Sequence, residues 1–419
     1  MNRREKSVWS QMLVLACGVA IVYGCASKGA TNEEANTLVL TNPLDVSREE
    51  VVTLTLSIDQ QAKMAKMKPG MYQTADTWVE ALDQDENGTV DQLAVRAQLA
   101  PKQTVSIDLN KDLISGTDLP KKTQAELSIG TGGTWNGRKY DDKTGFERVQ
   151  QLRVPDAHTD HSYFIRYEGP GWENEQLGYR FYLDWRNAID IFGKKVDTLV
   201  LQTVGQDGFD SYHEPSPWGM DILKAGKSLG VGSIGQYIGG AVEHFKQTDS
   251  VMCEITTDGY LGSQIDTRYY GWTTSASTTD LSSTLRIETG DRAVEHQIQL
   301  SKAVEGFCTG LVKHPKAEKM ESLVGTNGWA YIATYGEQSL AGDNLGLAII
   351  YHVKDVDYVK VSDYDHLVVF KPTTKKFSYY LLGAWEQEQN GIKTKEAFST
   401  YLKEKIERLK EPVTAQLAF

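Results

Sequence analysis

Leu281-Ser282-Ser283-Thr284-Leu285-Arg286-Ile287 and Ala293-Val294-Glu295-His296-Gln297-Ile298-Gln299-Leu300 alternate apolar and polar side chains. Successive side chains of a strand point to opposite faces, so a period of two is what a half-buried strand requires. Strand-like runs of the same kind occupy 37–40, 51–56, 78–82, 90–99, 104–109, 162–166, 178–184, 198–203, 251–255, 329–334, 345–351, 367–370 and 377–382. So many short runs, in a chain with 37 glycines, predict an all-β fold, a large antiparallel β-sandwich. One helix is expected at the carboxyl end. Thr394 can cap it, Phe398, Tyr401, Leu402, Ile406 and Leu409 recur at spacings of three and four, and Pro412 stops it. That spacing suits an outer helix packed on the sandwich.

The chain has 419 residues, 40% of them hydrophobic and 24% charged, an ordinary globular composition that excludes wholesale disorder and a fibrous repeat. Its formal charge is −12, with no block of clustered Lys and Arg, which argues against nucleic acid as a partner. A global negative charge still permits an anionic ligand, because a local pocket can oppose it. The expected organisation is a signal peptide over 1–24, a tether over 25–36, an amino-terminal β portion over 37–118 and the main sandwich with its helix over 119–412.

Arg3, Arg4 and Lys6 precede an uncharged run from Met12 to Tyr23, too short for a comfortable membrane span. The run ends at Val22-Tyr23-Gly24-Cys25, which resembles a bacterial lipoprotein signal with Cys25 as the lipidated residue. Membrane attachment through that lipid is expected, and the absence of aspartate after Cys25 points to an outer membrane, facing periplasm or cell surface. Plain secretion is the alternative. Cys253 and Cys308 remain in the mature body, and either a disulfide or two separately buried thiols fits them.

Asp83-Gln84-Asp85-Glu86-Asn87-Gly88-Thr89-Val90-Asp91 begins like a calcium loop, with oxygens at alternate positions. Ala94 stands where the bidentate acid belongs, and the flanks read as strands. A hairpin without metal is the expectation. No metal or cofactor is assigned anywhere in the chain. No GxSxG elbow, phosphate-binding loop or dinucleotide fingerprint is present.

The chemistry concentrates between His158 and Gly235. Here lie His158-Thr159-Asp160-His161, Arg166 to Asn174, Tyr179-Arg180-Phe181-Tyr182, Ser211-Tyr212-His213-Glu214 and Trp218 to Lys224. Rings beside carboxylates and basic groups suit a sugar cleft, since rings stack on a pyranose face and charges bind hydroxyls and carboxylates. Asp190 and Lys194 read as a surface pair. His213 stands between Tyr212 and Glu214, two neighbours able to tune its proton, and is the first candidate for acid–base work, ahead of His161 and Lys224. His244, His296, His352 and His366 are weaker candidates. A second cluster, Arg268-Tyr269-Tyr270-Gly271-Trp272, is a candidate opposite wall.

The Trp-Glu-Asn at 172–174, Tyr-Arg-Phe-Tyr at 179–182, Tyr-His-Glu at 212–214 and the run from Trp218 to Gly232 resemble domain-of-unknown-function family 4861. The resemblance extends from Asn42-Pro43-Leu44 to Gly383-Ala384-Trp385 and the last helix. It implies secreted or lipid-anchored proteins of polysaccharide-degrading bacteria with a galactose-mutarotase-like sandwich. Some similar proteins of ulvan and other uronate pathways act as dehydratases on unsaturated uronyl oligosaccharides. Arg166-Tyr167-Glu168-Gly169-Pro170-Gly171 departs from the Arg-Lys-Asp-Asp of many members.

The expected activity is therefore a carbon–oxygen lyase that eliminates water from an acidic oligosaccharide. Such a reaction needs a base, a cation or donor for the enolate-like charge and an acid for the leaving hydroxyl. The assigned roles are His213 as base or acid, Lys224 and Arg180 as carboxylate or enolate partners, and Asp221 as the group orienting Lys224. His161, Trp172, Glu173, Tyr212, Arg268 and Trp272 are the expected substrate-binding residues. A noncatalytic oligosaccharide-binding lipoprotein is one alternative, and a glycoside hydrolase or mutarotase-like enzyme is the other. Proximity of His213, Asp221 and Lys224 discriminates between catalysis and binding.

Overall fold

A computed structural model describes residues 36–116, 118–208, 211–322 and 328–419. The signal, Cys25 and the tether as far as residue 35 lie outside the described residues.

Thr278–Glu288 and Ala293–Leu300 are central strands of a nine-stranded antiparallel sheet. Leu281, Leu285, Ile287, Val294, Ile298 and Leu300 all enter one apolar core. Each such side chain taken from water contributes about 1.5–3 kcal/mol, so their common face fixes the register. Two five-stranded antiparallel sheets share that core and supply Ile191, Tyr179, Ile234, Leu311 and Phe370 to it. One runs Gly219–Asp221, Ile189–Lys194, Leu177–Phe181, Gly171–Asn174, Thr123–Glu126. The other runs Ala241–Glu243, Val231–Ile238, Phe307–Val312, Asp365–Phe370, Val356–Val361. The expected β-sandwich is present.

The helix is Lys395–Lys410, and the Thr394 hydroxyl accepts the Ala397 N–H, as expected of its cap. Phe398, Leu402 and Ile406 pack on the outer face of the large sheet against Ala348, Ile350 and Ala384. Neighbours Leu347 and Ile349 of the same strand point inward instead. Gly346 lies under the Phe398 ring, where a Cβ would come within 2.8 Å of it.

The amino-terminal segment forms a five-stranded sheet with its own apolar cluster around Leu40, Val79, Leu93 and Val95. A second, three-stranded sheet pairs Thr37–Thr41 with Thr104–Asp108 and with Thr414–Ala418. That last strand lies beyond the Pro412 stop and was not foreseen. Asp83 to Asp91 is a turn between Thr77–Leu82 and Gln92–Leu99, with Asp83 accepting the Asn87 and Gly88 N–H groups. Cys253 and Cys308 are separate buried thiols.

Two expected strands are not strands. Residues 162–166 are irregular, with an isolated bridge from Ile165 to Ile129 and the start of a 3-10 turn at Arg166, and 198–203 are bends and turns. Buried charged side chains hold them in place of a ladder. Arg166 Nη1 donates to the Leu201 and Val204 carbonyls, and Glu173 accepts the Val200 and Leu201 N–H groups.

Candidate active site

The sheet built on Leu177–Phe181 is buried on both faces. Tyr179, Phe181, Ile189 and Ile191 face the main core. The intervening residues face the other way, under the segments 158–168, 198–208 and 211–213. Arg180 pairs with Asp190 and Phe192 with Asp221 across strands, so alternation brings Arg180, Asp190, Phe192 and Asp221 onto one face. Tyr167, Val200, Leu201, Val204 and Tyr212 roof Phe192 there.

Arg180 is the hub. Its Nη2 donates to Asp221 Oδ2 at 2.6 Å and to Asp190 Oδ2 at 3.1 Å, while Nη1 donates to Tyr212 OH at 3.0 Å. Tyr182 OH donates to the same Asp190 oxygen at 2.7 Å. His213 Nε2 stands 3.4 Å from Asp221 Oδ2, and its side chain is 32% exposed while Asp221 is 2% exposed. The imidazole therefore has a buried carboxylate on one side and solvent on the other. Burial pushes the Asp221 carboxyl well above the usual carboxylate range, the Asp190 charge adds to this, and Arg180 opposes it.

Beside this hub lies a strained loop. His161, Tyr163, Tyr167 and Glu168 all adopt positive φ, at 54°, 59°, 38° and 71°. Such conformations cost about 1–3 kcal/mol each for residues with a Cβ, and they persist only where surroundings enforce them. Here the enforcement is visible. Glu168 Oε1 accepts the His161 N–H at 2.9 Å, and Gly169 runs so close to the Phe181 carbonyl that a Cβ would lie 1.8 Å from it. His161 Nδ1 lies 2.6 Å from Asp160 Oδ1 and 4.0 Å from Glu168 Oε1. Arg186 pairs with Asp160, Glu168 and Asp184, and its guanidinium lies 3.9 Å over the Tyr182 ring. Asp160, His161 and Glu168 have the ligand types of a metal site. Arg186 already pairs with two of them, so a guanidinium stands where a cation would bind. Among the described residues, Asp83, Asp85 and Asp91 form the other such group.

His213, Asp221, Arg180 and Tyr212 are brought together, and His161 joins through Glu168, whose charge is felt at both Tyr212 and Asp221. The remaining assignments need correction. Arg180 is fully buried and ion-paired, so it holds Asp221 and Tyr212 and does not meet a substrate carboxylate. Lys224 is exposed, and the oxygens of Asp221 serve Arg180 and the Leu223 N–H, not Lys224. Trp172 is wholly buried and stacks on Tyr179, and Trp272, equally enclosed, stacks on Phe245 at 4.3 Å. Neither ring can receive a sugar. Glu173 is buried against Lys194 at 2.6 Å. Arg268 is exposed on a strand of the nine-stranded sheet, so it forms no wall with buried Trp272.

Asp190 and Lys194 are not a surface pair. Both are buried and serve Arg180 and Glu173 respectively. Together with Glu168, Tyr182 and Arg186 they are the residues that sequence reasoning missed. The alternation of Arg180 with Tyr182, and of Asp190 with Phe192 and Lys194, is the signal that could have found most of them.

The chain belongs to the family described as Domain of unknown function (DUF4861), whose model matches residues 40–415. No curated protein matches it. Among solved structures it is similar to a protein in the glycosyl hydrolase family 38 from Enterococcus faecalis, with 12% identity, a TM-score of 0.42 and 93% of this chain covered. It is similar also to an alpha-mannosidase from Enterococcus faecalis V583, with 12% identity, a TM-score of 0.41 and the same coverage. The chain spans 48% and 46% of those two chains, about half their length.

Proposed function

We propose that this member of the DUF4861 family is an enzyme of acidic-polysaccharide breakdown, lipid-anchored through Cys25, that eliminates water from unsaturated uronyl oligosaccharides. One observation carries the reading: a partly exposed histidine, His213, lies against a buried carboxylate, Asp221, that Arg180 pins from behind. A histidine oriented by a carboxylate is suited to taking and returning a proton near neutral pH. The charge count favours this role. Asp190 and Asp221 face one guanidinium, so the set lacks one positive charge, and a proton on Asp221, whose carboxyl is pushed up by burial and by the Asp190 charge, supplies it without occupying the His213 ring. His213 accepts the carbon-bound proton in this scheme. In the same scheme His161, beside Asp160 and Glu168, gives a proton to the departing hydroxyl. Arg180 is a positioning residue.

The glycosidase alternative needs two carboxyls facing a cleft with space between them. Asp190 and Asp221 instead converge on one Arg180 nitrogen and are buried. The test is mass spectrometry of unsaturated uronyl oligosaccharides after incubation with the protein. A loss of about 18 Da, one water, is the expected result of an elimination. A gain of water would establish hydrolysis, and no change with any such oligosaccharide would leave a binding protein.

A further inference from the structure

Around loops at the ends of the two five-stranded sheets of the sandwich lies a cavity lined by several basic side chains. Trp185, Arg186, Lys227, His244, Lys246 and Tyr364 line it. Its volume of about 330 Å³ falls within the range of small-molecule sites. Among the described residues Trp185 is the one exposed tryptophan, at 38%, and Tyr364 is the most exposed Trp, Tyr or Phe, at 49%. Both belong to this cavity, and each carries a lysine over its ring, Lys246 at 5.7 Å from Trp185 and Lys227 at 5.6 Å from Tyr364.

These cations are available. Lys227 and Lys246 are exposed, and neither is ion-paired among the described residues. Two acids also border the cavity. Asp365 is buried and accepts the Leu229 N–H at 2.8 Å, which leaves exposed Asp363 against the two lysines. His244 Nδ1 donates to the Arg186 carbonyl, 2.9 Å away, and fixes the backbone that presents Trp185 and Arg186. An exposed indole and phenol leave apolar area in water, a cost that a stacked pyranose ring removes. The ammonium groups flanking those rings match an anionic substituent on the same sugar.

We propose that this cavity is a subsite for an anionic pyranose unit, held by stacking on Trp185 and Tyr364 with its carboxylate or sulfate ester against Lys227 and Lys246. It deepens the dehydratase reading and rests on it for its place in catalysis. Arg186 borders the cavity and also pairs with Asp160 and Glu168, so an oligosaccharide seated here runs toward His161. The subsite would take the unit beside the one that reacts, and would select charged over neutral chains.

The experiment is calorimetric titration of the full chain with glucuronic acid, glucose 6-sulfate and glucose. Tighter binding of at least one charged sugar than of glucose, by about tenfold, is expected for two added ammonium contacts. Whichever of the two binds more tightly identifies the substituent as carboxylate or sulfate. The double variant Lys227→Ala/Lys246→Ala should erase that preference, and added salt should weaken only the charged ligand. Trp185→Ala should weaken all three. Equal binding of charged and neutral sugars, no binding of either charged sugar, or a preference that survives in the lysine variant would overturn the proposal. No turnover is read, so a failure of the elimination activity leaves this result standing, and the reverse also holds.

Discussion

The nine-stranded sheet and the segment from His158 to Asp221 solve burial in opposite ways. In Thr278–Glu288 the exposed and buried positions alternate almost without exception, and the buried set is mainly Leu and Ile. In Ile189–Lys194 every residue is buried, including Asp190 and Lys194. The first arrangement gains stability from each side chain it encloses. The second encloses charges, whose desolvation costs several kcal/mol per ion unless partners are held in place. Four residues with positive φ between His161 and Glu168 add strain to that cost. Stability given up in one region and supplied by another is what a site held ready for chemistry requires.

The sharpest way to break the contrast is Arg180→Met. It keeps the volume but leaves Asp190 and Asp221 buried without their cation. Stability should fall by about 3–5 kcal/mol, read as a lower denaturant midpoint. An unchanged midpoint would mean that the hub is wetter than its burial implies.

The next largest effect separates catalysis from folding. His213→Ala should lower turnover about 10²–10⁴-fold with the melting temperature nearly unchanged, since the ring is one-third exposed. Activity lost only in proportion to folded protein would remove His213 from the proton path and leave His161 to be tested.

The two regions also differ in how far the sequence discloses them. Alternation made the large sheet legible, and the helix was legible from Thr394 to Pro412, because both are organised by apolar periodicity. Residues 162–166 and 198–203 carry the same periodicity and still form no ladder strand. Arg166 and Glu173, distant in sequence from 198–203, supply the hydrogen bonds that a neighbouring strand would otherwise give. Nothing local in 198–203 reports that. His213 and Asp221 were legible as chemistry-bearing residues, whereas Trp172 and Trp272 were misplaced because aromatic content alone does not say which face is covered. The strand Thr414–Ala418 escaped notice because its partner lies at the opposite end of the chain.

A smaller, pH-dependent effect places the ordered sheet under test. His296 sits on the inner face of the large sheet, bonded to Ser283 and Tyr379, and burial lowers its pKa to about 3. The unfolded chain binds this proton near pH 6.5, so the neutral ring's contribution is complete above that value. It is lost as pH falls from about 6.5 towards 3, at up to about 1.4 kcal/mol per unit. His158, lowered to about 4 by burial, acts with the same sign over a shorter window. Asp365 acts oppositely. Burial raises it to about 7, so its contribution is present at low pH and is lost as pH rises towards 7. Denaturation midpoints of His296→Gln between pH 7 and pH 4 should fall less steeply than those of the unaltered protein. Parallel curves would show that this ring is already charged in the fold.

The smallest expected effect concerns Arg268, which the amino-acid pattern placed in a sugar-binding wall. The structure sets it at an exposed position of Gly262–Thr273, opposite Met252 and Ser282, with Thr267 and Tyr269 turned inward on either side. Its side chain points away from the core that the sheet encloses, so its removal creates no cavity. Exposed arginines outside such networks contribute little, and Arg268→Ala should shift stability by no more than about 0.5 kcal/mol. KM for an oligosaccharide substrate should be unchanged for the same reason: the polar network around Arg180, Asp221 and His213 is built on a different sheet, and the lysines of the Trp185 cavity lie on the loops of the five-stranded sheets. A rise in KM with intact folding would place a second functional surface on the outer face of the large sheet. The division of labour between a stabilising sheet and a reactive one would then fail.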